Sequence, residues 1–232
     1  MRTSFWTRIF DLIAPRPCPI CGERLSVNES LICAVCHMHL PVTRFQYEPL
    51  DNPMARLFWG QFPIERAAAW FYYVPHSYVS TLIYDLKYHG QAEYGVAIGN
   101  IIAQRFEDSH FFEGIDALIP IPITRKRRWH RGYNQSEMVA QGISEITGIP
   151  IYKKVVRRIH FAGSQTDKDR WQRLENVENV FQLTNPAKIA NKHILIIDDI
   201  VTTGATISAC ARQLCKADNV TISVLTIGFT KS

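Results

Sequence analysis

Between residues 66 and 232, short apolar runs alternate with stretches whose apolar positions recur three or four apart. Residues 66–74, rich in Ala and aromatics, read as a strand. Val79, Leu82, Ile83 and Leu86 fall on one helical face within residues 78–89. Val96, Ile98, Ile101, Ile102 and Phe106 do the same within 94–106. Gly90 and the polar stretch from Glu107 end these helices. Residues 117–123 are almost wholly apolar and followed by charge, as in a strand buried on both faces. A helix (134–146), a strand (151–156), a polar loop, a strand (193–197), a helix (206–216) and a strand (220–227) complete the series. Such alternation predicts an α/β domain: a mostly parallel sheet with helices on both faces.

Upstream the pattern changes. Residues 1–13 interleave Arg2, Arg8 and Asp11 with Phe5, Trp6, Ile9, Phe10, Leu12 and Ile13, which predicts a short amphipathic leading helix and not a signal peptide. Pro15 and Pro17 then break the chain; residues 14–50 carry four of its cysteines, and residues 51–62 are irregular. The larger domain is expected over 66–232. No stretch approaches the roughly 20 apolar residues of a bilayer span. With 232 residues, 47% of them hydrophobic, the chain can bury one sizeable core and carry a small extra module. The net charge of +5, from 26 basic and 21 acidic residues, is too mild to bind nucleic acid or membrane by overall attraction. Lacking an export signal, the chain is placed in the cytoplasm, where paired cysteines point to metal before disulfide.

Cys18-Pro19-Ile20-Cys21 and Cys33-Ala34-Val35-Cys36 form two C-x-x-C knuckles. Four thiolates at this spacing can surround one Zn2+ tetrahedrally, leaving no open position, so the metal is structural. A segment this short has no core of its own, and metal binding supplies its folding free energy. Redox-active or unpaired thiols are the alternative. His37 and His39 stand outside a shell that four cysteines complete. Cys210 and Cys215 read as small buried apolar residues. The ribbon is expected to dock a partner.

The run His193-Ile194-Leu195-Ile196-Ile197 stops at Asp198-Asp199, putting two carboxylates at the C-terminal end of an interior strand, where open parallel sheets bind ligands. Thr202, Thr203, Gly204, Ala205 and Thr206 follow and run into a helix. Small side chains admit a ligand to the backbone, and the free N–H groups of a helix start attract an anion. Carboxylates suit sugar hydroxyls or Mg2+; N–H and hydroxyl donors suit phosphate. Simple helix capping by the acidic pair is the alternative.

Residues 194–206, Ile-Leu-Ile-Ile-Asp-Asp-Ile-Val-Thr-Thr-Gly-Ala-Thr, resemble the phosphoribosyl pyrophosphate signature of type I phosphoribosyltransferases. The resemblance implies that Asp198 and Asp199 hold the ribose hydroxyls, that Thr202 to Thr206 cradle the 5-phosphate, and that Mg2+ accompanies the ligand. It makes the basic run after residue 123 the pyrophosphate loop, with Arg125 and Lys126 as candidates to meet the leaving group. The surplus cations Arg127, Arg128 and Arg131, interleaved with Trp129 and Tyr133, can contact single-stranded nucleic acid or be solvated surface charge. Residues 162–176 are too polar for a core and read as a lid, with Gln165, Arg173 and Asn176 foremost, or as a plain connector.

Ile119-Pro120-Ile121-Pro122 leading to Arg125-Lys126-Arg127, then Arg131-Gly132-Tyr133-Asn134-Gln135-Ser136, resemble the ComF family of competence-associated proteins. Gln165-Thr166, Arg173, Asn176-Val177, Phe181 and the upstream stretch Tyr84-Asp85-Leu86-Lys87-Tyr88-His89-Gly90 strengthen the likeness. Lys168 and Asn179-Val180-Phe181 depart from it within the lid. This resemblance implies a link to natural transformation, with competence or DNA-processing proteins as partners. Two functions fit: transfer of a phosphoribosyl group to a base or amine, or binding of phosphoribosyl pyrophosphate or a nucleotide by a non-catalytic module that handles single-stranded DNA.

Overall fold

The computed structural model describes residues 16–88, 92–159 and 180–230. The leading helix over 1–13, the helix stop at Gly90, and the lid candidates Gln165, Arg173 and Asn176 lie outside the described residues. In chain order the elements are α1 (Ala34–His39), α2 (Pro53–Arg56), β1 (Ile64–Tyr72), α3 (Ser80–Tyr88), α4 (Ala92–Arg105), β2 (Ala117–Pro120), α5 (Arg125–Arg131) and α6 (Gln135–Thr147). They continue with β3 (Val156–Arg158), β4 (Phe181–Leu183), β5 (His193–Val201), α7 (Ala205–Leu214) and β6 (Thr221–Phe229).

Four strands form a parallel sheet in the order β1-β6-β5-β2. Ile194 to Ile197 and Ile222, Val224, Leu225 and Ile227 are all buried, which is why these strands lack the polar alternation of a one-sided sheet. Helices α4 and α6 cross where Gly99 faces Gly142. A Cβ on Gly99 would lie 2.2 Å from the Val139 carbonyl oxygen, and one on Gly142 2.0 Å from that of Val96, so two bare backbones set this contact. Helix α6 rests in turn on β2 and β5, and its first turn reaches the acidic end of the sheet. The free edge of β1 is covered by the chain leaving the cysteine segment: the Thr43 N–H donates to the Trp70 carbonyl at 3.1 Å and the Tyr72 N–H to that of Pro41 at 2.7 Å. The architecture is the expected α/β one, a parallel sheet packed with helices and preceded by a four-cysteine segment.

Three local expectations change. The strand expected over 151–156 reduces to one bridge between Ile151 and Leu118; β3 starts at Val156 and pairs antiparallel with β4, an unexpected three-residue strand. Both are too short, and Arg157 and Arg158 too polar, to announce themselves by pattern. The basic run, expected as a loop, is the helix α5. The Thr124 hydroxyl caps it by accepting from the Arg127 N–H at 3.2 Å, and Gly132 ends it at φ 78°. Arg and Lys are good helix formers, and this helix stays in solvent where their charges are hydrated. Finally, β5 does not stop before the acidic pair but runs through it to Val201.

Candidate functional site at the open end of strand β5

The two neighbours of β5 end at different heights. Its ladder with β2 closes at Pro120 opposite Ile197, whereas its ladder with β6 continues to Val201 opposite Phe229. Asp198 and Asp199 therefore lie beyond the end of β2, still held in extended backbone by β6 but open on one flank. On the β2 side the Ile121 N–H makes the last bond, to the Ile197 carbonyl at 3.0 Å; the Ile121 carbonyl then accepts from the Asn134 side-chain amide at 3.0 Å and the Asp199 N–H turns to Asp198 Oδ1 at 2.9 Å, so the next bond of the ladder is not made.

Asp198 Oδ1 accepts from the Asp199 N–H at 2.9 Å and from the Ser136 hydroxyl, at the start of α6, at 3.2 Å. Burial, followed by the negative charge of Asp199, pushes the Asp198 carboxyl up to about 7, with those donors and Lys87 offsetting only part. Asp199 Oδ1 accepts from the Ile200 N–H at 2.7 Å, and its Oδ2 forms a 2.8 Å ion pair with Lys87 Nζ. The two side chains are 19% and 22% exposed, so water screens this pair less than a surface bridge. Lys87 is fixed through its helix: Leu82, Ile83 and Leu86 of α3 are buried, and the Tyr133 hydroxyl donates to the Leu86 carbonyl at 2.6 Å.

Beyond Val201 the chain turns through Thr202 and Thr203, both exposed, into Gly204 at φ 74°, and α7 begins. A side chain at Gly204 would be strained by that φ and would put its Cβ 2.7 Å from Phe58 Cε1. The opening N–H groups of α7 lack intrahelical partners, and the Thr203 hydroxyl reaches the Ala205 N–H only at 3.5 Å. Thr202, Thr203, Gly204, Ala205, Thr206 and Asp198 line one concavity. The structure thus brings the acidic pair and the donor-rich turn together.

The other predicted cations are dispersed. Arg125 and Lys126 are exposed on the first turn of α5, directly after β2. Arg127 acts on Arg158 of β3: burial first, then the Arg127 charge, depress the Arg158 guanidinium, while Asp198 opposes them. That guanidinium lies 5.3 Å from the Phe181 ring centre. Arg128 pairs with Glu137 at 2.9 Å, a carboxylate shared with Lys153, and Arg131 donates to Gln135 Oε1 at 2.9 Å. Trp129 is 82% exposed. Lys87, Ser136 and Arg158 had no role in the sequence reading. Lys87 and Ser136 stand in stretches singled out for family likeness, but contact with the acidic pair arises only on folding.

At the other end of the chain, the Sγ atoms of Cys18, Cys21, Cys33 and Cys36 all lie within 4.8 Å of one another. A tetrahedral zinc with Zn–S bonds of about 2.3 Å spaces its sulfurs about 3.8 Å apart, and Cys21 and Cys33 are at 3.7 Å. The Cys33 N–H points at Cys18 Sγ (3.5 Å) and the Cys36 N–H at Cys33 Sγ (3.4 Å), donors that favour thiolate. The cluster fits a metal ion. His37 and His39 take other partners, Arg105 and the Val35 carbonyl. Cys210 is buried in the middle of α7 and Cys215 half-buried at its C-cap.

The family model for the phosphoribosyl transferase domain matches residues 90–227. DNA utilization protein YhgH of Salmonella typhimurium is 25% identical over 223 residues, covering 92% of this chain and 96% of that one. Competence protein F of Haemophilus influenzae is 27% identical over 142 residues (60% and 62%), and competence protein ComFC of Bacillus subtilis 26% over 201 residues (85% and 70%). Among solved structures, the allosteric regulatory enzyme of purine biosynthesis overlaps 58% of this chain at 18% identity and TM-score 0.39, and the overlap takes in only 25% of that enzyme. An adenine phosphoribosyltransferase overlaps 65% of this chain and 76% of its own at 13% identity and TM-score 0.37. Lys87 lies just upstream of the matched segment. With more than half of its length on that family model, and relatives bearing competence and DNA-utilization names, the chain belongs to the phosphoribosyl transferase domain family and within it to the ComF proteins.

Proposed function

We propose that this protein binds phosphoribosyl pyrophosphate, or a nucleotide sharing its 5-phosphoribosyl group, and serves DNA uptake or utilization in the cytoplasm. One observation carries the proposal: Asp198, with Asp199 next to it in the chain, and an open helix start line the same concavity at the end of β5. The 5-phosphate sits on the N–H groups and hydroxyls of Thr202 to Thr206, where the helix dipole favours negative charge. The ribose hydroxyls donate to Asp198 and Asp199. Carboxylate oxygens are the donor set Mg2+ prefers, and the ion would supply charge neutralisation at the pyrophosphate. Arg125 and Lys126, at the mouth of β2, face the leaving-group side. Lys87 holds Asp199 until ligand arrives and then remains as a cation beside the pyrophosphate.

Zinc is the metal we assign to the four cysteines, and we take residues 14–50 as a ribbon that docks a competence or DNA-processing partner and residues 66–232 as the phosphoribosyltransferase-like domain. The names of the relatives support the DNA association. Among the described residues no helix is long and apolar enough to cross a membrane.

Calorimetry with phosphoribosyl pyrophosphate and Mg2+ tests the proposal. Saturable heat, lost in Asp199→Ala, is the expected result; no heat with any phosphoribosyl compound ends it. Pyrophosphate release in the presence of a panel of bases then separates transfer from binding alone. A second reading rests on α5: a solvent-facing Trp129 among Arg125 to Arg131 suits stacking and backbone contact with single-stranded DNA, making the protein a nucleotide-sensing DNA-handling module.

A further inference from the structure

A second polar cleft lies far along the chain from the phosphate turn, where the strand-edge stretch that follows the cysteine segment, β1 and the end of α4 meet. Its volume is about 400 Å3. Arg44, Gln46, Tyr47, Trp70 and Arg105 contribute its polar and aromatic lining, and the lining contains no Asp or Glu. Trp70 is 2% exposed, yet its indole N–H has no acceptor among the described residues. Next to it His37 meets the Trp70 ring edge-on, with ring centres 6.4 Å apart. Arg105 points a guanidinium nitrogen at His37 Nδ1 from 3.3 Å, which ties the cleft's edge to α1. Arg44 also borders the neighbouring groove with Glu48 and Asp51, but Asp51 is already held by Arg56 at 2.7 Å.

An unsatisfied buried donor costs roughly 1–3 kcal/mol, so the Trp70 N–H in a cleft lined by a pair of arginines calls for an acceptor. A cation or a neutral apolar molecule would leave it unanswered. We propose that this cleft is a binding site for a phosphate oxyanion, held by Arg44 and Arg105 above the Trp70 N–H. Arginine forks match the oxygen geometry of phosphate, and exposed Tyr47 offers a ring face to any base the phosphate carries. Because the cleft joins the stretch that follows the cysteine segment to the end of α4, an anion there ties the two together. The inference stands independently of what the acidic pair binds.

The chain has five tryptophans, so the indole N–H region of a proton–nitrogen NMR spectrum is sparse enough to follow one of them, with Trp70→Phe assigning its peak. Titrating the zinc-loaded full chain with inorganic phosphate should shift the Trp70 peak saturably. The Arg44→Gln/Arg105→Gln variant should weaken that response about tenfold or more, the loss expected for charge-assisted bonds. Should the double variant fail to fold, Arg44→Gln alone, a change on an exposed turn, should weaken it several-fold. Thr202→Val/Thr206→Val should leave the Trp70 response in place, which separates this cleft from the phosphate turn. Tighter binding of adenosine monophosphate than of phosphate, abolished by Tyr47→Ala, would identify a nucleotide as the source; equal binding would identify free phosphate. An unmoved indole peak, a shift that sodium chloride reproduces at equal ionic strength, a shift that survives the arginine changes, or one lost with the threonines overturns the proposal.

Discussion

The cysteine cluster and the acidic pair pose the same electrostatic problem, and the chain meets it in opposite ways. In each, groups that carry negative charge are held closer together than they would stand unaided: four sulfurs within 4.8 Å of one another, and two adjacent carboxyls at a strand end. The sulfurs find no side-chain cation among the described contacts; as thiolates they could hold a metal ion, and four ligands would leave that ion closed to substrate. The carboxyls are served from within, by Lys87 on Asp199 and by partial protonation of Asp198. A site whose counter-charge is an amine on a helix can exchange it for a ligand; a site whose counter-charge is the fold's own metal cannot. The cysteine geometry builds structure and the carboxylate geometry builds binding.

The largest test of this contrast is at the metal. Structural zinc in small cysteine modules carries about 10–16 kcal/mol of apparent binding free energy, so Cys33→Ser should lose the single zinc and unfold the segment around it. Metal analysis reads the stoichiometry, and amide exchange over residues 16–40 reads the local unfolding. A protein that stays protected there without metal breaks the comparison. Asp199→Asn comes next. It keeps the shape but removes the charge that Lys87 and a ribose would share, and hydrogen bonds to charged groups are worth about 1.5–3 kcal/mol. Calorimetry should show phosphoribosyl pyrophosphate binding weakened roughly ten- to a hundredfold.

Lys87 sharpens the contrast through pH. The raised Asp198 carboxyl, at about 7 against an ordinary 3.8, favours the protonated fold; that stabilisation is complete below pH 3.8 and fades as the pH rises through about 7. Ligand and Mg2+ want the ionised form, so affinity should climb over the same upper range. Lys87 pulls the Asp198 carboxyl down, so Lys87→Met should move the midpoint of the affinity profile to higher pH, and Lys87→Arg should restore it. An unchanged midpoint would make Lys87 a structural contact only.

How far the sequence spoke for these sites follows from what each needs. The two C-x-x-C knuckles and the run from Ile194 to Thr206 put ligand and scaffold side by side in the chain, so periodicity and spacing expose them directly. The ion pair of Lys87 with Asp199 and the bond from Ser136 to Asp198 join elements distant in sequence, and no local pattern records them. Strand β5 was read as stopping at Ile197 because hydrophobicity ends there, while the ladder with β6 depends on backbone and carries Asp198 and Asp199 along with it. The basic helix α5 failed as a pattern for a related reason: a run of charge lacks the apolar stripe by which a helix is recognised, yet Thr124 and Gly132 cap it from both ends.

That helix offers the smallest effect. If α5 tracks a single-stranded backbone, each phosphate contact contributes about 0.7 to the slope of log affinity against log salt, and removing Arg127, Arg128 and Arg131 together would by simple addition lower it by about 2. The structure argues for less. Arg128 is already paired with Glu137 and Arg131 with Gln135, so either must leave an internal partner to meet a phosphate. Arg127 carries no such bond among the described contacts and acts electrostatically on Arg158 beside the acidic pair. The triple change to Gln should therefore lower the slope by nearer 0.7 than 2, and Trp129→Ala should weaken binding at every salt concentration without altering the slope, because stacking releases no counterions. Fluorescence anisotropy with labelled single-stranded DNA between low and moderate salt reads both. A slope untouched by the arginines and an affinity untouched by Trp129→Ala would remove DNA from this face and leave α5 as a solvated helix following β2.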